Sequence, residues 1–108
     1  MAQSSDSPIL DLLMGMNLAG VEASTLDAQT LMLVRIAALV AVDAPAVSYV
    51  LNLRVAGDVE VDPAQIEGVL TGIAPIVGSA RVASAATKMV QALGIELELA
   101  ELAEGGGA

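Results

Sequence analysis

A run of twelve almost uniformly aliphatic residues, 31–42, constrains the fold more than any other feature of the sequence. Arg35 is the only charged residue in this run. As a helix, the run would be apolar on nearly every side, and such a helix has to be covered on nearly every side. A chain of 108 residues has little other surface with which to cover it. The run therefore predicts an all-α fold that assembles with copies of itself.

The aliphatic excess also raises the question of a membrane, because 56% of the residues are hydrophobic. A membrane-spanning helix needs about 20 consecutive apolar residues with few charges. The longest uncharged stretch, 68–80, is shorter and contains Pro75 and three glycines. A longer apolar window, 36–53, is interrupted by Asp43 and Pro45. We therefore expect no membrane partner and assign the surplus apolar surface to contacts between copies.

Charge and aromatic content argue against nucleic acid as a partner. The chain has 13 acidic and 4 basic residues, a net charge of −9, and a single aromatic residue. Such a surface repels phosphate and offers no platform for stacking bases. We interpret the acidity as a source of solubility for an apolar protein. The start of the sequence shows no cationic segment followed by an apolar run, and cysteine is absent, so a cytoplasmic location is expected.

Proline, glycine and capping residues divide the chain into five to six predicted helices. The predicted single domain spans 7–104, between a disordered lead at 1–6 and a disordered tail at 105–108. In the first half, Ser7 and Pro8 open a helix over about 9–19 that Gly20 stops, Ser24 or Thr25 caps a helix to about 42, and Asp43 caps a helix over about 45–55. In the second half, Asp62 and Pro63 open a helix, Pro75 starts or kinks the next one, Gly94 ends it, and 95–104 forms a last helix.

The absence of histidine and cysteine is the sharpest chemical fact in the sequence. It excludes thiol peroxidases, thiol–disulfide exchange, cysteine proteases and histidine-dependent serine hydrolases. It also excludes zinc sites built from Cys and His. No glycine-rich phosphate loop and no Gly-x-Ser-x-Gly motif occurs. We therefore expect no metal and no cofactor, and the enzyme question stays open with a lean towards no.

The third predicted helix carries the most suggestive polar residues. Ser48, Tyr49 and Asn52 stand at positions i, i+1 and i+4, which places them on one face. A buried tyrosine can act as an acid or hydrogen-bond donor to a small ligand. The simpler interpretation is that the three side chains satisfy one another or the backbone at a helix contact. Both interpretations remain open at this point.

Two arginines lie within very apolar segments. The planar fork of Arg35 or Arg81 can bind a ligand carboxylate. Such arginines more often pair with an acidic side chain, here Asp43 or Glu67, within one subunit or between subunits. These arginines, with Ser48, Tyr49 and Asn52, complete the set of candidate ligand-binding residues.

Several segments together resemble the carboxymuconolactone decarboxylase-like family, in particular its short actinobacterial branch. The similarity covers about residues 24–94 and depends on helix order and apolar pattern. The segments that carry it are LDAQT at 26–30, VRIAALVA at 34–41, AG at 56–57, IEGVL at 66–70 and IAPIVGSARV at 73–82, with the Asp-Ala-Pro of the branch at 43–45.

The resemblance implies the all-α alkylhydroperoxidase D fold in trimers, hexamers or similar assemblies. It does not carry the family's activities. The thiol branch has a Cys-x-x-Cys pair and a histidine at positions that fall near Val42, Pro45 and Tyr49 here, and the decarboxylase branch has a histidine that also aligns with Tyr49. All of these reactive residues are missing.

The leading hypothesis is therefore a divergent, catalytically silent member of that family that acts as a homo-oligomeric binding or structural module. The alternative is a non-thiol enzyme on a small lactone or carboxylate ligand, with Tyr49 as acid or donor and Arg35 or Arg81 as the partner of the anion. The two hypotheses differ in what surrounds Tyr49. The enzyme requires Tyr49 and an arginine to converge on an accessible pocket, and the structural module requires them to be satisfied and enclosed.

Overall fold

The computed structural model describes the backbone of residues 7–103 and the side chains of residues 7–94. This part of the chain contains five helices and no strand, which confirms the all-α prediction. The predicted disordered segments at 1–6 and 105–108 lie outside the described residues. The helices are α1 (Pro8–Ala23), α2 (Ala28–Ala41), α3 (Ala46–Asp58), α4 (Pro63–Val77) and α5 (Ser79–Ala103).

Three helices begin at side chains that cap their free backbone N–H groups. The Ser7 hydroxyl accepts a hydrogen bond from the N–H of Leu10 at 3.2 Å, with Pro8 in the first turn, as predicted. Asp62 forms a reciprocal capping box with Gln65, also at a predicted helix start. The cap of α2 is Asp27, so the prediction of Ser24 or Thr25 is wrong.

Asp43, predicted to cap the third helix, lies in the turn between α2 and α3. Its φ of 53° is in the left-handed region, whereas an N-cap is extended. The N-cap of α3 is Pro45, which has no side chain able to accept a hydrogen bond. The prediction for Asp43 is therefore wrong, and its carboxylate is free for contacts with α5.

Three predicted helix breaks do not occur where expected. α1 continues through Gly20 to Ala23, and α5 continues through Gly94, so 95–103 is the same helix rather than a separate one. A glycine inside a helix costs only about 1 kcal/mol, which neighbouring residues outweigh. Pro75 lies inside α4, and the break comes at Gly78, whose φ of 94° and ψ of 149° suit glycine alone.

The core is built around one face of α2. Met32, Ile36 and Val40 follow each other at i, i+4 and i+8 and are buried. α2 packs against α3, α4 and α5, and α3 packs against α5. The other buried apolar side chains come from the α2–α3 and α3–α4 turns, α3 and α5: Ala44, Tyr49, Ala56, Val61, Ala85, Met89 and Ala92.

The first helix stands apart from this body. No residue of α1 is buried, and α1 has no extensive packing against any of the other four helices. Its eight large aliphatic side chains are between 44% and 65% exposed. They are Ile9, Leu10, Leu12, Leu13, Met14, Met16, Leu18 and Val21.

A helix that spans a bilayer must be both long and apolar. Among the described helices, none combines the length and the apolar character of a membrane span. This agrees with the prediction from the interrupted apolar windows.

Candidate functional site

A polar cluster joins the α2–α3 turn to α5. The Asp43 carboxylate accepts hydrogen bonds from the Ser84 hydroxyl at 2.8 Å and the Lys88 ammonium at 2.9 Å. Ser84 and Lys88 are four residues apart, so they stand on one face of α5. These bonds hold the pKa of Asp43 below its usual value, the Lys88 bond having the larger effect. The cluster fixes the left-handed turn at Asp43 and has the character of a structural clamp.

Arg81 extends the same clamp. Its guanidinium donates a hydrogen bond to the backbone oxygen of Ala41, in the last turn of α2. The carbonyl groups of that turn lack partners within the helix, and a cation there also opposes the negative end of the helix dipole. Within the described residues of this chain, Arg81 thus makes a helix-end contact. Its positive charge also contributes to lowering the pKa of Asp43, one of its two predicted acidic partners.

Arg35, in the middle of α2, makes a different contact. Its guanidinium donates hydrogen bonds to the side-chain oxygen of Asn17 and, at 3.2 Å, to the Asn17 backbone oxygen. It also lies against Gly20, where a Cβ atom would stand 2.9 Å from Nη2. Arg35 thus anchors the C-terminal half of α1 to α2. Its predicted acidic partner, Asp43 or Glu67, is not the one it binds.

Tyr49 lies in the core, fully buried, and its hydroxyl has no hydrogen-bond partner among the described residues. Burial, and then the negative charge of Asp43, raise the pKa of this hydroxyl above 10.0. A buried polar group without a partner costs about 1–3 kcal/mol. Neither hypothesis for Tyr49 describes this environment well, since the side chain is enclosed but unsatisfied.

The structure does not bring Tyr49 and the two arginines together. Arg35 contacts α1, and Arg81 contacts Ala41. Ala41 lies six residues beyond Arg35, which is about 9 Å along the axis of α2. The Tyr49 hydroxyl bonds to neither arginine. The accessible convergence that the enzyme hypothesis requires is therefore absent from the described residues of this single chain.

Ser48 and Asn52 face a different space from Tyr49. The Asn52 amide donates to the backbone oxygen of Ser48 at 2.8 Å, and both residues line an open cleft of about 790 Å³ between α1 and the body. This cleft carries no charged side chain. Its α1 side consists of Leu10, Leu13, Met14, Gly15, Asn17 and Leu18, and its body side consists of Leu39, Val47, Ser48, Leu51 and Asn52.

A second cavity, of about 360 Å³, lies between α3, α4 and α5. Its walls are aliphatic, with Leu53, Ile66 and Met89 among them, and Glu67 is the one charged side chain among the described residues that line it. The size suits a small apolar ligand, but such sites normally hold several convergent polar groups. None of the five predicted ligand-binding residues lines it.

The described part of the chain contains no cluster of side chains that could bind a metal ion. No three acidic side chains there lie close enough to hold a metal ion.

The sequence interpretation missed the exposure of α1 and its anchor, Asn17. The signal was present, because the apolar residues of 9–21 occupy more than one face of a helix.

The chain was compared with known proteins at three levels. No protein-family model, no curated protein and no solved structure matches it. The resemblance to the carboxymuconolactone decarboxylase-like family therefore stays a prediction.

Proposed function

We propose that this protein is a homo-oligomeric helical module without a catalytic centre of its own, and that α1 is its assembly surface. The observation that carries the proposal is the exposure of α1: sixteen residues, mostly aliphatic, with none buried. Exposed apolar surface of this extent is typical of a protein–protein contact.

The energetics support assembly through α1. Complete burial of a large aliphatic side chain contributes about 1.5–3 kcal/mol, so covering the exposed half contributes about 1 kcal/mol. Eight such side chains on each of two copies contribute about 16 kcal/mol in total. Association costs about 4–15 kcal/mol in lost translational and rotational freedom, with a further cost for each side chain that becomes ordered. The apolar gain is therefore of the same order as the cost of association.

The positions of the candidate catalytic groups support a module without catalysis. Arg35 and Arg81 make structural hydrogen bonds to the backbone, and Tyr49 is enclosed. A general acid must reach the atom that it protonates, directly or through one water molecule. The enzyme hypothesis would need Tyr49 to move out of the core before it could act.

Two finer parts of the proposal come from the sequence. The first is membership of the carboxymuconolactone decarboxylase-like family with its trimeric or hexameric assemblies. The second is a small-molecule ligand, for which the aliphatic cavity beside Glu67 is the better-shaped space. Neither the family membership nor the ligand depends on the exposure of α1, so each can be tested separately.

The experiment is a mass measurement by light scattering coupled to gel filtration at micromolar concentration. We expect a small multiple of the 10.8 kDa chain mass. Because each copy carries a net charge of −9, added salt should strengthen the assembly by screening repulsion between copies. A stable particle of single-chain mass at all salt concentrations would overturn the proposal.

A matched pair of variants locates the surface. Leu12→Asp places a charge on α1, and Ile76→Asp places the same charge on α4, at a side chain that is 86% exposed. We expect the first variant to reduce the particle to single chains and the second to leave its mass unchanged. Equal loss of assembly in both would mean that α1 has no special role.

A further inference from the structure

α1 has two apolar faces, and only one of them is turned towards its own chain. With 3.6 residues per turn, Leu10, Met14 and Leu18 form an inner face that lines the cleft. Ile9, Leu12 and Met16 lie on the opposite side and form an outer face. A surface helix in a single chain normally needs one apolar face, so the outer face calls for a second contact.

The body side of the cleft presents a matching surface. Val47 is 71% exposed and Leu51 is 45% exposed, and both lie on α3 with Leu39 of α2 beside them. We call these three residues the cleft wall. Arg35 of α2 contacts α1 at Asn17 and Gly20, and an open space separates the inner face of α1 from the cleft wall.

We infer that two copies exchange α1, so that α1 of each copy lies in the cleft of the other. The order of layers is then the body of one copy, α1 of the second, α1 of the first, and the body of the second. The two inner faces meet each other at the centre. Each outer face packs on the cleft wall of the opposite copy. This inference rests on the proposed function, because it names the contact by which the module assembles.

Three observations favour a second copy over any other occupant. First, the arrangement covers both faces of α1, which no ligand in the cleft would do. Second, Val47 and Leu51 with the side chains of α1 present about 700 Å² of apolar surface per copy. A stable interface buries about 600–1,000 Å² per partner.

The third observation is charge. The chain carries −9 overall, yet none of the described residues that line the cleft is charged. The two acidic residues of α1, Asp11 and Glu22, are eleven residues apart and therefore share one narrow stripe between the two faces. The cleft and both faces of α1 are thus the region where two such anions can meet with the least repulsion.

The absence of cysteine makes a direct test possible, since any disulfide must come from introduced residues. One chain carries Leu12→Cys and another, of distinguishable mass, carries Val47→Cys. The two are mixed, allowed to exchange and oxidised mildly. A disulfide between the two kinds of chain can only form between copies. The control pair replaces Val47→Cys with Ala64→Cys on the exposed side of α4.

Within an exchanged pair the two thiols face each other at an effective concentration of about 1 mM, against micromolar protein in free solution. We therefore expect the mixed disulfide of the test pair to exceed that of the control pair by about a hundredfold at 10 µM chain. Equal yields from both pairs in a protein that is oligomeric by light scattering would overturn the exchange and leave the proposed function standing.

A second arm uses assembly without cross-linking. Val47→Asp should abolish the pair as fully as Leu12→Asp does, because the two side chains form one contact, whereas Ile76→Asp should not. Exchange closes at two copies, so the particle should be a dimer or an even multiple. A trimer, or full assembly of Val47→Asp, would contradict the exchange. Single chains throughout would contradict the proposed function as well.

Discussion

α1 and α2 are nearly equal in length and both are mainly aliphatic, yet the chain treats them in opposite ways. α2 has three helices around it and buries Met32, Ile36 and Val40. α1 buries none of its residues, and among the described residues Arg35 of α2 holds it by hydrogen bonds to Asn17. Aliphatic content therefore does not determine which helix forms the core. What differs is the surroundings of each helix: α3, α4 and α5 all pack on α2, whereas α1 packs extensively on none of the other helices.

The largest test of this comparison is the same substitution in both helices. Ile36→Ala removes a side chain with no exposed surface and should lower the free energy of unfolding by about 2–5 kcal/mol. Ile9→Ala removes one that is 63% exposed and should change it by less than about 0.5 kcal/mol in the dissociated chain. Guanidinium unfolding at the lowest workable concentration measures both.

The result distinguishes α1 from the body only if the two substitutions change the free energy of unfolding by different amounts. Comparable losses for Ile36→Ala and Ile9→Ala would show that α1 belongs to the core of the single chain. The division between α1 and the body would then be wrong, and the α1 exchange with it.

The next test concerns the buried hydroxyl of Tyr49 in the core of the body. Tyr49→Phe removes a buried hydroxyl that has no partner, so the free energy of unfolding should rise by about 1–3 kcal/mol. Unfolding followed by circular dichroism measures this change. A loss of stability would instead mean that the hydroxyl forms a hydrogen bond in the protein in solution, which would contradict its description as unsatisfied.

The pH dependence gives a control for Tyr49, because it is the only tyrosine and its ultraviolet titration can be read alone. Its pKa in the folded state is above 10.0. The folded state therefore holds the proton more tightly than the unfolded state. The corresponding stability is fully present below about pH 10 and is lost as the pH rises through the folded-state pKa. Tyr49→Phe should remove this alkaline loss.

A smaller effect is expected at the joint between the two regions. Arg35→Met keeps the apolar stem but removes the hydrogen bonds to Asn17, at a cost of about 1 kcal/mol. The change should appear as faster hydrogen exchange in α1 with unchanged exchange in α2 and α3. Arg54→Met, on α3, is a matched control away from the joint. Faster exchange throughout the chain would indicate that Arg35 supports the core.

The smallest effect is expected at acid pH and in the body alone. The pKa of Asp43 is lowered from 3.8 by its bonds to Lys88 and Ser84. Its contribution is therefore present above about pH 4 and is lost as the pH falls through the folded-state pKa. Asp43→Asn tolerates the left-handed turn and should flatten this part of the stability profile. An unchanged profile in that variant would show that the clamp contributes nothing.

Much of the fold follows from local rules in the sequence. Ser7 and Asp62 each precede a proline and cap a helix, as the pattern predicts. Glycine was a poor guide to helix ends, because α1 continues through Gly20 and α5 continues through Gly94. Pro75 lies in the last turn of α4, where the loss of one hydrogen bond is cheap.

The candidate site was harder to predict, since it depends on which residues meet. The pattern identified Arg35 and Tyr49 as unusual, but it could not tell that one reaches Asn17 on α1 and that the other lies in the core. Those facts come from the packing of helices that are distant in the sequence. The exposure of α1 is of the same kind, because it depends on how much surface the other helices leave uncovered.

The single-residue joint at Gly78 has a consequence for how this sequence can vary. One inserted residue there would turn α5 by about 100° about its axis. Ala85, Met89 and Ala92 would rotate out of the interior, and Ser84 and Lys88 would leave Asp43. Homologous chains should therefore differ in length at the turns 24–27 and 59–62, and should keep the spacing between α4 and α5 fixed.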